Sequence, residues 1–305
     1  MSISIAIAPD VQAALDAGRP VVALESTVIS HGLPYPHNLE LARAMEQEVR
    51  DSGAVPATIG IVAGVPTVGM DEVAIERFAR TDAQHRPSKV SRRDLGYVIA
   101  QGGDGATTVA ATMALAHLAG VQVFATGGIG GVHRGARESW DMSADLTELA
   151  HTPIVVVCAG AKAILDLSAT LEYLETSGVP VLGWRTNEFP AFYSRSSGLP
   201  VAQASDATFV ARAWHAHRAL GGAGMLLTVP PPAEYALDRV VVEAAIERAL
   251  RRATDEGVHG PAVTPFLLAA LAQETGGASV RANVALLCQN ARVAAHIAAA
   301  IAGVL

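Results

Sequence analysis

Short apolar runs alternate with amphipathic stretches along this chain, and the alternation predicts strands and helices in turn. We expect strands at residues 20–24, 57–62, 65–70, 121–125, 154–158, 179–183 and 224–229. We expect helices at residues 38–50, 72–80, 109–119, 144–150, 162–175, 206–220, 238–253, 264–274 and 279–301. No internal repeat or low-complexity tract interrupts this order, so the pattern predicts a single α/β domain.

The most informative stretch surrounds Lys162. Residues 154–158 form a β-branched run without polar breaks, which predicts a strand buried on both faces, as in a parallel sheet. A small-residue turn and a helical pattern follow, so Lys162 is expected just past the carboxyl end of an inner strand, near a helix start. Open α/β sheets bind ligands at that edge. Partial desolvation and the positive end of a helix dipole favour a neutral, nucleophilic amine. The alternative is a solvated surface lysine.

Two further charged residues follow predicted elements. Glu25 comes directly after the strand at residues 20–24, where a carboxylate could act as an acid or base; the alternative is a solvated loop glutamate. Lys89 begins a cationic segment, residues 89–94, that could hold a phosphate. The alternative there is a solvated helix start capped by Ser91.

Glycine-rich segments precede or follow several elements. Residues 126–135 hold five glycines and close with His133 and Arg134, which makes them the best candidate for an anion cradle. The alternative is a flexible loop. A Gly/Thr turn at residues 101–108 precedes an apolar helix and offers a similar, weaker candidate. Neither segment has the spacing of a Walker or Rossmann motif, so the sequence predicts no nucleotide site.

Asp141, Ser143 and Asp145 place two carboxylates and a hydroxyl at alternate positions. Such oxygen ligands suit a hard cation such as Mg²⁺ or Mn²⁺. The segment does not match an EF-hand, because Leu146 stands where that loop needs glycine. The alternative is that Asp141 and Ser143 only cap the following helix.

The composition narrows the class of protein. Of 305 residues, 50% are hydrophobic and only 17% charged, which predicts a well-buried globule. A net charge of −7 without a basic cluster argues against nucleic-acid binding. No apolar run is expected to be long enough to span a membrane, since residues 291–305 are alanine-rich but short, and the amino terminus lacks a signal-peptide pattern. Cys158 and Cys288 lie in separate apolar elements, so we expect reduced core residues and a cytoplasmic protein.

Seven ordered motifs together closely resemble the pseudouridine-5′-phosphate glycosidases, also known as the indigoidine synthase A-like family. The motifs are residues 25–36, Lys89-Val-Ser-Arg-Arg-Asp-Leu95, and residues 106–113, 126–133, 141–146, 158–162 and 188–198. The resemblance covers nearly the whole chain. It implies a three-layer α/β/α fold around a mostly parallel or mixed central sheet.

The resemblance also implies an activity and an assembly. It implies reversible cleavage of the C–C glycosidic bond of pseudouridine 5′-phosphate to uracil and ribose 5-phosphate, by an enzyme classed as a carbon–oxygen lyase. It further implies Mn²⁺ or another divalent cation and a homotrimer, with a small-molecule substrate and neither nucleic acid nor membrane as partner. A sugar-phosphate-binding accessory or sensor protein without glycosidase turnover is the alternative.

The roles of single residues are carried over from the matching motifs. Lys162 corresponds to the covalent nucleophile, Glu25 to the proton donor and Asp141 to the metal-holding residue. The positions that correspond to substrate contacts are Lys89, Val109, Ser143, Ala144 and Asp145. His133 corresponds to a phosphate or sugar contact and Asn283 to a contact with the base, although Asn290 lies close by in sequence.

Two other enzyme classes share parts of this chemistry. A class I aldolase-like enzyme would also use an imine-forming lysine but would not need the segment around Asp141. A ribokinase-like phosphotransferase would need an ATP site, and we find no motif for one.

Overall fold

A central sheet of eleven strands crosses the part of the protein described by the computed structural model, which covers residues 4–80, 86–258 and 263–303. Two more strands form a small separate ribbon. In chain order the strands are β1 (Ala6–Ile7), β2 (Val21–Glu25), β3 (Val55–Val62), β4 (Val65–Val68), β5 (Ser88–Val90), β6 (Gly105–Thr107), β7 (Val123–Ala125), β8 (Val132–His133), β9 (Val155–Cys158), β10 (Leu165–Asp166), β11 (Val181–Trp184), β12 (Ala202–Ala204) and β13 (Met225–Thr228).

Helices connect these strands over most of the described chain. They are α1 (Pro9–Asp16), α2 (Thr27–His31), α3 (His37–Asp51), α4 (Glu72–Ala79), α5 (Leu95–Gln101), α6 (Val109–Leu118), α7 (Ala136–Ser139), α8 (Ala144–His151), α9 (Leu167–Thr176), α10 (Ala207–Ala219), α11 (Arg239–Asp255), α12 (Val263–Glu274) and α13 (Ala278–Gly303). A single 3₁₀ turn, Arg92–Asp94, begins at a capping box formed by Ser91 and Asp94.

The sheet is mixed with a parallel centre. Strands β3, β2, β7, β9, β13, β11 and β12 lie side by side in that order and run parallel. Strands β4 and β6 both run antiparallel to β3, and Gly60 of β3 lies between Thr67 of β4 and Ala106 of β6. The fold class predicted from the sequence, an α/β protein with a mostly parallel or mixed sheet, is therefore confirmed.

The inner strands are apolar because helices cover them. All four residues of β9, Val155–Cys158, are fully buried, as a strand between two helical layers requires. Helices α3, α10 and α13 pack together on the sheet, while α6 and α8 pack together and α6 lies against β2 and β3. One main hydrophobic core contains residues from Val11 to Ile301, which agrees with a single domain.

Helix α13 has 26 residues and is long and apolar enough, by length and composition alone, to cross a membrane. The expectation that no apolar run reaches that length is therefore wrong. The helix packs against β2, β7 and β9 and against α3 and α10. Its residues Leu286, Ala291 and Ile297 are fully buried, so in this structure it is a core helix of the domain.

Most predicted elements agree with the structure within a few residues. The clearest error concerns residues 162–175, because helix α9 begins only at Leu167, where the Asp166 carboxylate caps it by accepting from the Ala169 amide at 3.0 Å. The short strands β1, β5, β6, β8, β10 and β12 were not predicted. Strands of two or three residues carry too few positions for a periodic pattern to show.

Candidate active site

The candidate site lies at the carboxyl ends of the central parallel strands. Glu25 is the last residue of β2, Thr126 follows β7 directly, and the segment that carries Lys162 follows β9. From β2 the chain continues to β3 on one side, whereas β7 lies on the other side of β2. This reversal of strand order is the switch point at which open α/β sheets form their ligand crevice.

Two hydroxyl groups hold the carboxylate of Glu25. Thr126 donates a hydrogen bond to one carboxylate oxygen of Glu25, and Thr27 donates to the other. The adjacent Ser26 is fully buried, and its hydroxyl accepts from the Thr107 amide at 2.9 Å. Glu25 is thus fixed between three segments of chain. No role was predicted from the sequence for Thr27 or Thr126, although both are hydroxyl residues beside strand ends.

Lys162 lies at the predicted strand end but not at a helix start. Its backbone amide donates to the Ile129 carbonyl at 3.1 Å, and Ala161 forms a parallel bridge with Ile129. The helix dipole therefore gives no support to a neutral amine at this position, since α9 begins at Leu167. Instead, the glycine-rich segment after β7 fixes the backbone of Lys162, and the same segment positions Thr126 against Glu25.

Lys89 is electrostatically coupled to the other charged residues of the site. Partial burial lowers the pKa of Lys89 from its usual range, and the charge of Lys162 lowers it further. The carboxylates of Glu25 and Asp145 act in the opposite direction and raise the pKa of Lys89. Lys89 therefore interacts electrostatically with Lys162, Glu25 and Asp145, which belong to three other sequence motifs.

Strand pairing explains how Lys89 reaches the other charged residues. Lys89 is the central residue of β5 and stands opposite Ala106 in the parallel strand β6. The next residue of β6, Thr107, is bonded to Ser26 beside Glu25. The Thr108 amide in turn donates to the Val90 carbonyl at 2.9 Å. Backbone contacts thus link Lys89 to Glu25 on one side and to the start of α6 on the other.

The protein has only two lysines, Lys89 and Lys162, among its 22 lysine and arginine residues. All other cationic positions of these two types are arginine. Both lysines belong to the candidate site. Arginine stays protonated in proteins, whereas lysine can lose its proton when partly buried. This count was available from the sequence and would have singled out Lys89 together with Lys162.

Asp145 is buried and joins two parts of the site. One carboxylate oxygen accepts from the Ala110 amide at 2.9 Å and the other from the Gly130 amide at 2.8 Å. The carboxylate thus ties the first turn of α6 to the glycine-rich segment. Both Asp145 oxygens accept from backbone amides, and Ser143 caps α8 by accepting from the Asp145 amide, so these two side chains already have partners within the protein. The cation site expected at Asp141, Ser143 and Asp145 stays a prediction.

The glycines of residues 126–135 are needed for internal packing. A Cβ atom on Gly128 would lie 2.5 Å from the Phe192 ring, and one on Gly130 would collide with Ser143. The segment is buried from Thr126 to Val132, so the interpretation as a flexible loop is wrong. The close approaches of this backbone are to the protein's own side chains, and the expected cradle for an anion stays a prediction.

Arg134 does not contribute a free cation to an anion cradle. It forms an ion pair with Glu243 on α11 and also donates to the Ala163 carbonyl at 3.3 Å. The Arg134 guanidinium lowers the pKa of Glu243 from its usual range, mainly through their hydrogen bond. The cationic part of the predicted cradle is therefore already neutralised within the protein.

Two helix starts meet near Lys89. Val109 opens α6 and Ala144 opens α8, and Asp145 links the two helix starts through the Ala110 amide. The first amides of a helix have no partner within it and favour negative charge. Thr108 precedes α6, and its hydroxyl is buried without a hydrogen-bond partner among the described residues. No role was predicted for Thr108 from the sequence.

His133 and Asp141 lie side by side. The His133 amide donates to the Asp141 carbonyl at 3.0 Å, and the His133 Nδ1 atom lies 3.6 Å from the Asp141 Oδ2 atom. Half of the Asp141 side chain is exposed. No group of three or more His, Cys, Asp or Glu residues that could hold a metal occurs within the described ranges. The donors present suit a mainly hydrated hard cation better than a closed protein cage.

Asn283 and Asn290 occupy the same helix, α13, but differ in surroundings. A Cβ atom on Gly127 would lie 3.5 Å from the Asn283 Oδ1 atom, so Asn283 lies above the glycine-rich segment. Asn290 is fully buried, and its amide donates to the Thr126 carbonyl at 2.8 Å. Its Oδ1 atom has no partner among the described residues, a situation that costs about 1–3 kcal/mol. Of the two asparagines, Asn283 is partly exposed and Asn290 is not.

Both cysteines are free thiols, as predicted. Burial raises the pKa of Cys158 to about 12 and that of Cys288 to about 11. Neither thiol is appreciably ionised at neutral pH, so neither is a candidate nucleophile.

The fold and site define an α/β protein that brings a carboxylic acid and two lysines together at the switch point of a mixed sheet. The family model described as indigoidine synthase A like protein matches residues 10–300. The chain therefore belongs to the indigoidine synthase A-like family, and the resemblance noted in the sequence is confirmed.

Two relatives with assigned names match nearly the whole length of the chain. The chain is 83% identical over 302 residues to a pseudouridine-5′-phosphate glycosidase of Roseiflexus sp. (strain RS-1), covering 99% of this chain and 97% of that protein. It is 63% identical to the protein of the same name from Chloroflexus aurantiacus, covering 97% and 98%.

Two solved structures have the same fold. The prealnumycin C-glycosynthase AlnA, solved in complex with ribulose 5-phosphate, superposes with a TM-score of 0.92 at 45% identity and covers 100% of this chain and 99% of its own. An indigoidine synthase A-like protein from Thermotoga maritima gives a TM-score of 0.88 at 37% identity, covering 98% and 97%.

Proposed function

We propose that this protein reversibly cleaves the C–C glycosidic bond of pseudouridine 5′-phosphate and releases uracil and ribose 5-phosphate. The relatives that match nearly its whole length carry the name of that activity. A structural neighbour that covers the entire chain binds a pentose phosphate. The observation that carries the proposal is the placement of Glu25 at the end of β2 and of Lys162 after β9, where the segment that follows β7 contacts both.

A carbon-linked base explains why an amine is needed. An N-glycosidase can protonate a base nitrogen and leave an oxocarbenium ion, with carboxylates as its catalytic pair. Uracil bound through C5 is a poorer leaving group, so the positive charge that develops at C1′ as the C–C bond breaks needs strong stabilisation. A lysine nitrogen bonded to C1′ supplies it by donating its lone pair and forming an imine, while the bond electrons leave with the protonated uracil.

The proposed steps assign one role to each residue. The carboxylic acid of Glu25 protonates the ring oxygen of the ribose as the Lys162 amine forms a bond to C1′ and the C1′–O bond breaks. Uracil C5 then takes a proton, the C1′–C5 bond breaks, and the nitrogen lone pair forms the C1′=N bond. Water hydrolyses this imine, which releases ribose 5-phosphate and restores the amine.

The remaining residues predicted from the sequence would bind the substrate. Lys89 would contact the substrate, and the helix starts at Val109 and Ala144 offer backbone amides to the phosphate. The unpartnered Thr108 hydroxyl adds a further donor beside them. Ser143 and Asp145 would act mainly by shaping this pocket, because their side chains are bonded within the protein. His133 would contact the phosphate or sugar, and Asn283 the base.

We also propose that Asp141 holds a divalent cation, Mn²⁺ being the first candidate. The exposed carboxylate of Asp141, with His133 beside it, suits a hydrated hard ion. Such an ion would supply positive charge to sugar or phosphate oxygens. The lyase classification, a homotrimeric assembly and a cytoplasmic location belong to the same proposal and rest on family membership.

One experiment tests the central claim directly. The protein is incubated with ribose 5-phosphate and borohydride, and its intact mass should rise by one reduced sugar phosphate. Because Lys89 and Lys162 are its only lysines, peptide mapping has few alternatives to separate. Lys162→Ala should abolish the adduct, whereas Lys89→Ala should leave the adduct on Lys162. An adduct absent from the native protein, or attached elsewhere, contradicts the covalent role.

Turnover must be measured separately, because a sugar-phosphate sensor could also form an adduct. Native protein should release uracil from pseudouridine 5′-phosphate in a coupled assay with Mn²⁺. A protein that binds ribose 5-phosphate but releases no uracil would be the accessory or sensor protein. An aldolase-like enzyme would be insensitive to chelators, and a phosphotransferase would bind ATP.

A further inference from the structure

We propose that Lys89 transfers a proton during the reaction and is therefore a second catalytic lysine. This inference rests on the proposed function. Family resemblance assigns Lys89 only to substrate contact, and the proposed steps leave open which group takes the proton from Lys162 and which group protonates uracil C5.

Position 89 holds a lysine in a chain that otherwise uses arginine almost throughout. The chain uses arginine at 20 of its 22 lysine and arginine positions. For a contact that only binds phosphate, arginine is well suited, because its guanidinium offers several donors and permanent charge. Lysine differs from arginine chiefly in being able to lose its proton. Both remaining lysines lie in this site, which indicates that both positions need a group that can be neutral.

The fold also links Lys89 to the candidate acid and the candidate nucleophile. Lys89 projects from β5, which is linked through Thr107 to Ser26 and hence to Glu25. Its charge is coupled to those of Lys162 and Glu25. Partial burial and the Lys162 charge both lower the pKa of Lys89, and this makes the neutral amine more accessible. A neutral amine that interacts with both the acid and the nucleophile is suited to exchange protons with either.

The proton transfer balances over one cycle. Neutral Lys89 takes a proton from the Lys162 nitrogen as its lone pair bonds to C1′, and Lys89 becomes an ammonium. Lys89 then gives that proton to uracil C5. As the C1′–C5 bond breaks, its electron pair restores the C5=C6 double bond of uracil, and Lys89 returns to the neutral form. Glu25 supplies a different proton, to the ring oxygen.

The test measures KM and kcat of Lys89→Arg. Arginine reproduces the charged form of Lys89 but cannot exchange a proton at accessible pH. We expect KM of Lys89→Arg within about threefold of native and kcat lower by about 10²–10⁴-fold, the range of one acid–base group. The proposal is overturned if kcat of Lys89→Arg stays within about tenfold of native. It is also overturned if KM rises while kcat remains native.

A second variant covers the case in which arginine simply does not fit. Lys89→Cys, made with Cys288→Ser and alkylated to an aminoethyl side chain, restores an amine of lysine length with a lower pKa. We expect turnover to recover. We also expect the part of the pH profile of kcat that reports ionisation of this amine to move to lower pH. Recovered turnover with an unmoved limb, or no recovery, contradicts the proposal.

Controls separate this inference from the proposed function. Arg93→Lys adds a lysine in the same segment at a side chain that is 88% exposed, and native turnover is expected. If native protein releases no uracil, the proposed function fails. If native protein is active and Lys89→Arg is equally active, only the role of Lys89 fails. Borohydride trapping on Lys162 in Lys89→Arg shows that the variant folds and binds the sugar phosphate.

Discussion

The side-chain amide of Asn290 donates a hydrogen bond of 2.8 Å to the backbone carbonyl of Thr126. The Thr126 hydroxyl in turn donates to the Glu25 carboxylate. A fully buried asparagine in an apolar helix thus fixes the residue that holds the candidate acid. Because its Oδ1 atom lacks a partner among the described residues, Asn290 adds little to stability, and its contribution lies in positioning.

Asn290→Leu is expected to separate activity from stability. The leucine fills a similar volume and removes the unpartnered oxygen together with the bond to Thr126, so the free energy of unfolding should change little. Turnover should fall by about tenfold or more, since small displacements of catalytic groups are costly. Urea unfolding and uracil release measure the two quantities.

Gln289→Leu is the matched control for Asn290→Leu. Gln289 makes the same kind of bond from the same helix, to the Pro230 carbonyl at 2.8 Å, but after β13. It should lose about 1 kcal/mol of stability and keep native kcat. Equal losses of kcat in both variants would show that Asn290 acts only on the fold.

Asp145→Asn should destabilise the protein although it preserves shape. An amide group in place of one carboxylate oxygen would face either the Ala110 amide or the Gly130 amide, and two donors cannot bond each other. We expect a loss of about 1–3 kcal/mol in the free energy of unfolding.

Asp166→Asn serves as the control for Asp145→Asn. Asp166 caps α9, and asparagine is an equally good cap, so its unfolding free energy should stay near native. If the two variants were equally stable, the two amide contacts of Asp145 would not matter as described.

Thr108→Val tests the unpartnered hydroxyl near the two helix starts. The hydroxyl makes no bond within the described protein, and it does not cap α6. Stability should therefore be unchanged or slightly raised. If the hydroxyl binds phosphate, KM should rise by about tenfold or more, the equivalent of one bond to a charged group.

Thr147→Val, at an exposed position of α8, is the control for Thr108→Val and should match native protein in both measurements. Competitive inhibition by inorganic phosphate should weaken in parallel with KM in Thr108→Val. An unchanged KM with reduced stability would assign Thr108 to folding.

Metal dependence should respond to Asp141. Treatment with a chelator should abolish uracil release, and Mn²⁺ should restore it. Asp141→Asn should need at least about tenfold more Mn²⁺ for half-maximal activity, because a carboxylate ligand is lost. Glu138→Gln, an exposed carboxylate on the neighbouring α7, should keep the native requirement. Full activity after chelation would remove the cation from the mechanism.

His31 should make stability depend on pH. Burial, aided by the positive charges of Arg86 and Lys89 and opposed by a bond to the Pro87 carbonyl, lowers the pKa of His31 from 6.5 to about 4. Between these values the unfolded chain binds a proton that the folded chain does not. The free energy of unfolding should therefore fall as pH drops from 6.5 towards 4.

The variant His31→Gln should flatten this dependence, because glutamine does not titrate and can still donate to Pro87. His37→Gln, at a side chain that is 66% exposed, is the control and should keep the native slope. Urea unfolding at pH about 7.5 and about 5 measures the difference. If the free energy of unfolding depended equally on pH in native protein and in His31→Gln, other titrating groups would be responsible for the dependence.

The sequence by itself determined the order of the main elements and the segments that carry the chemistry. The apolar run before Lys162 predicted strand β9. Glu25 and the glycine-rich segment were identified because each follows a predicted strand. These are local features, because burial and backbone preference act on neighbouring positions. The scarcity of lysine was equally available and identifies both amines of the site.

Only the tertiary structure decided which groups meet. The bond from Asn290 to Thr126 joins residues 164 positions apart, and that from Thr126 to Glu25 joins residues 101 apart. No local pattern encodes such pairs, since they arise when strands and helices pack against each other. Packing likewise turned the Asp145 carboxylate inward to backbone amides and placed Lys162 in a loop instead of a helix, because strand pairing and burial override local propensity.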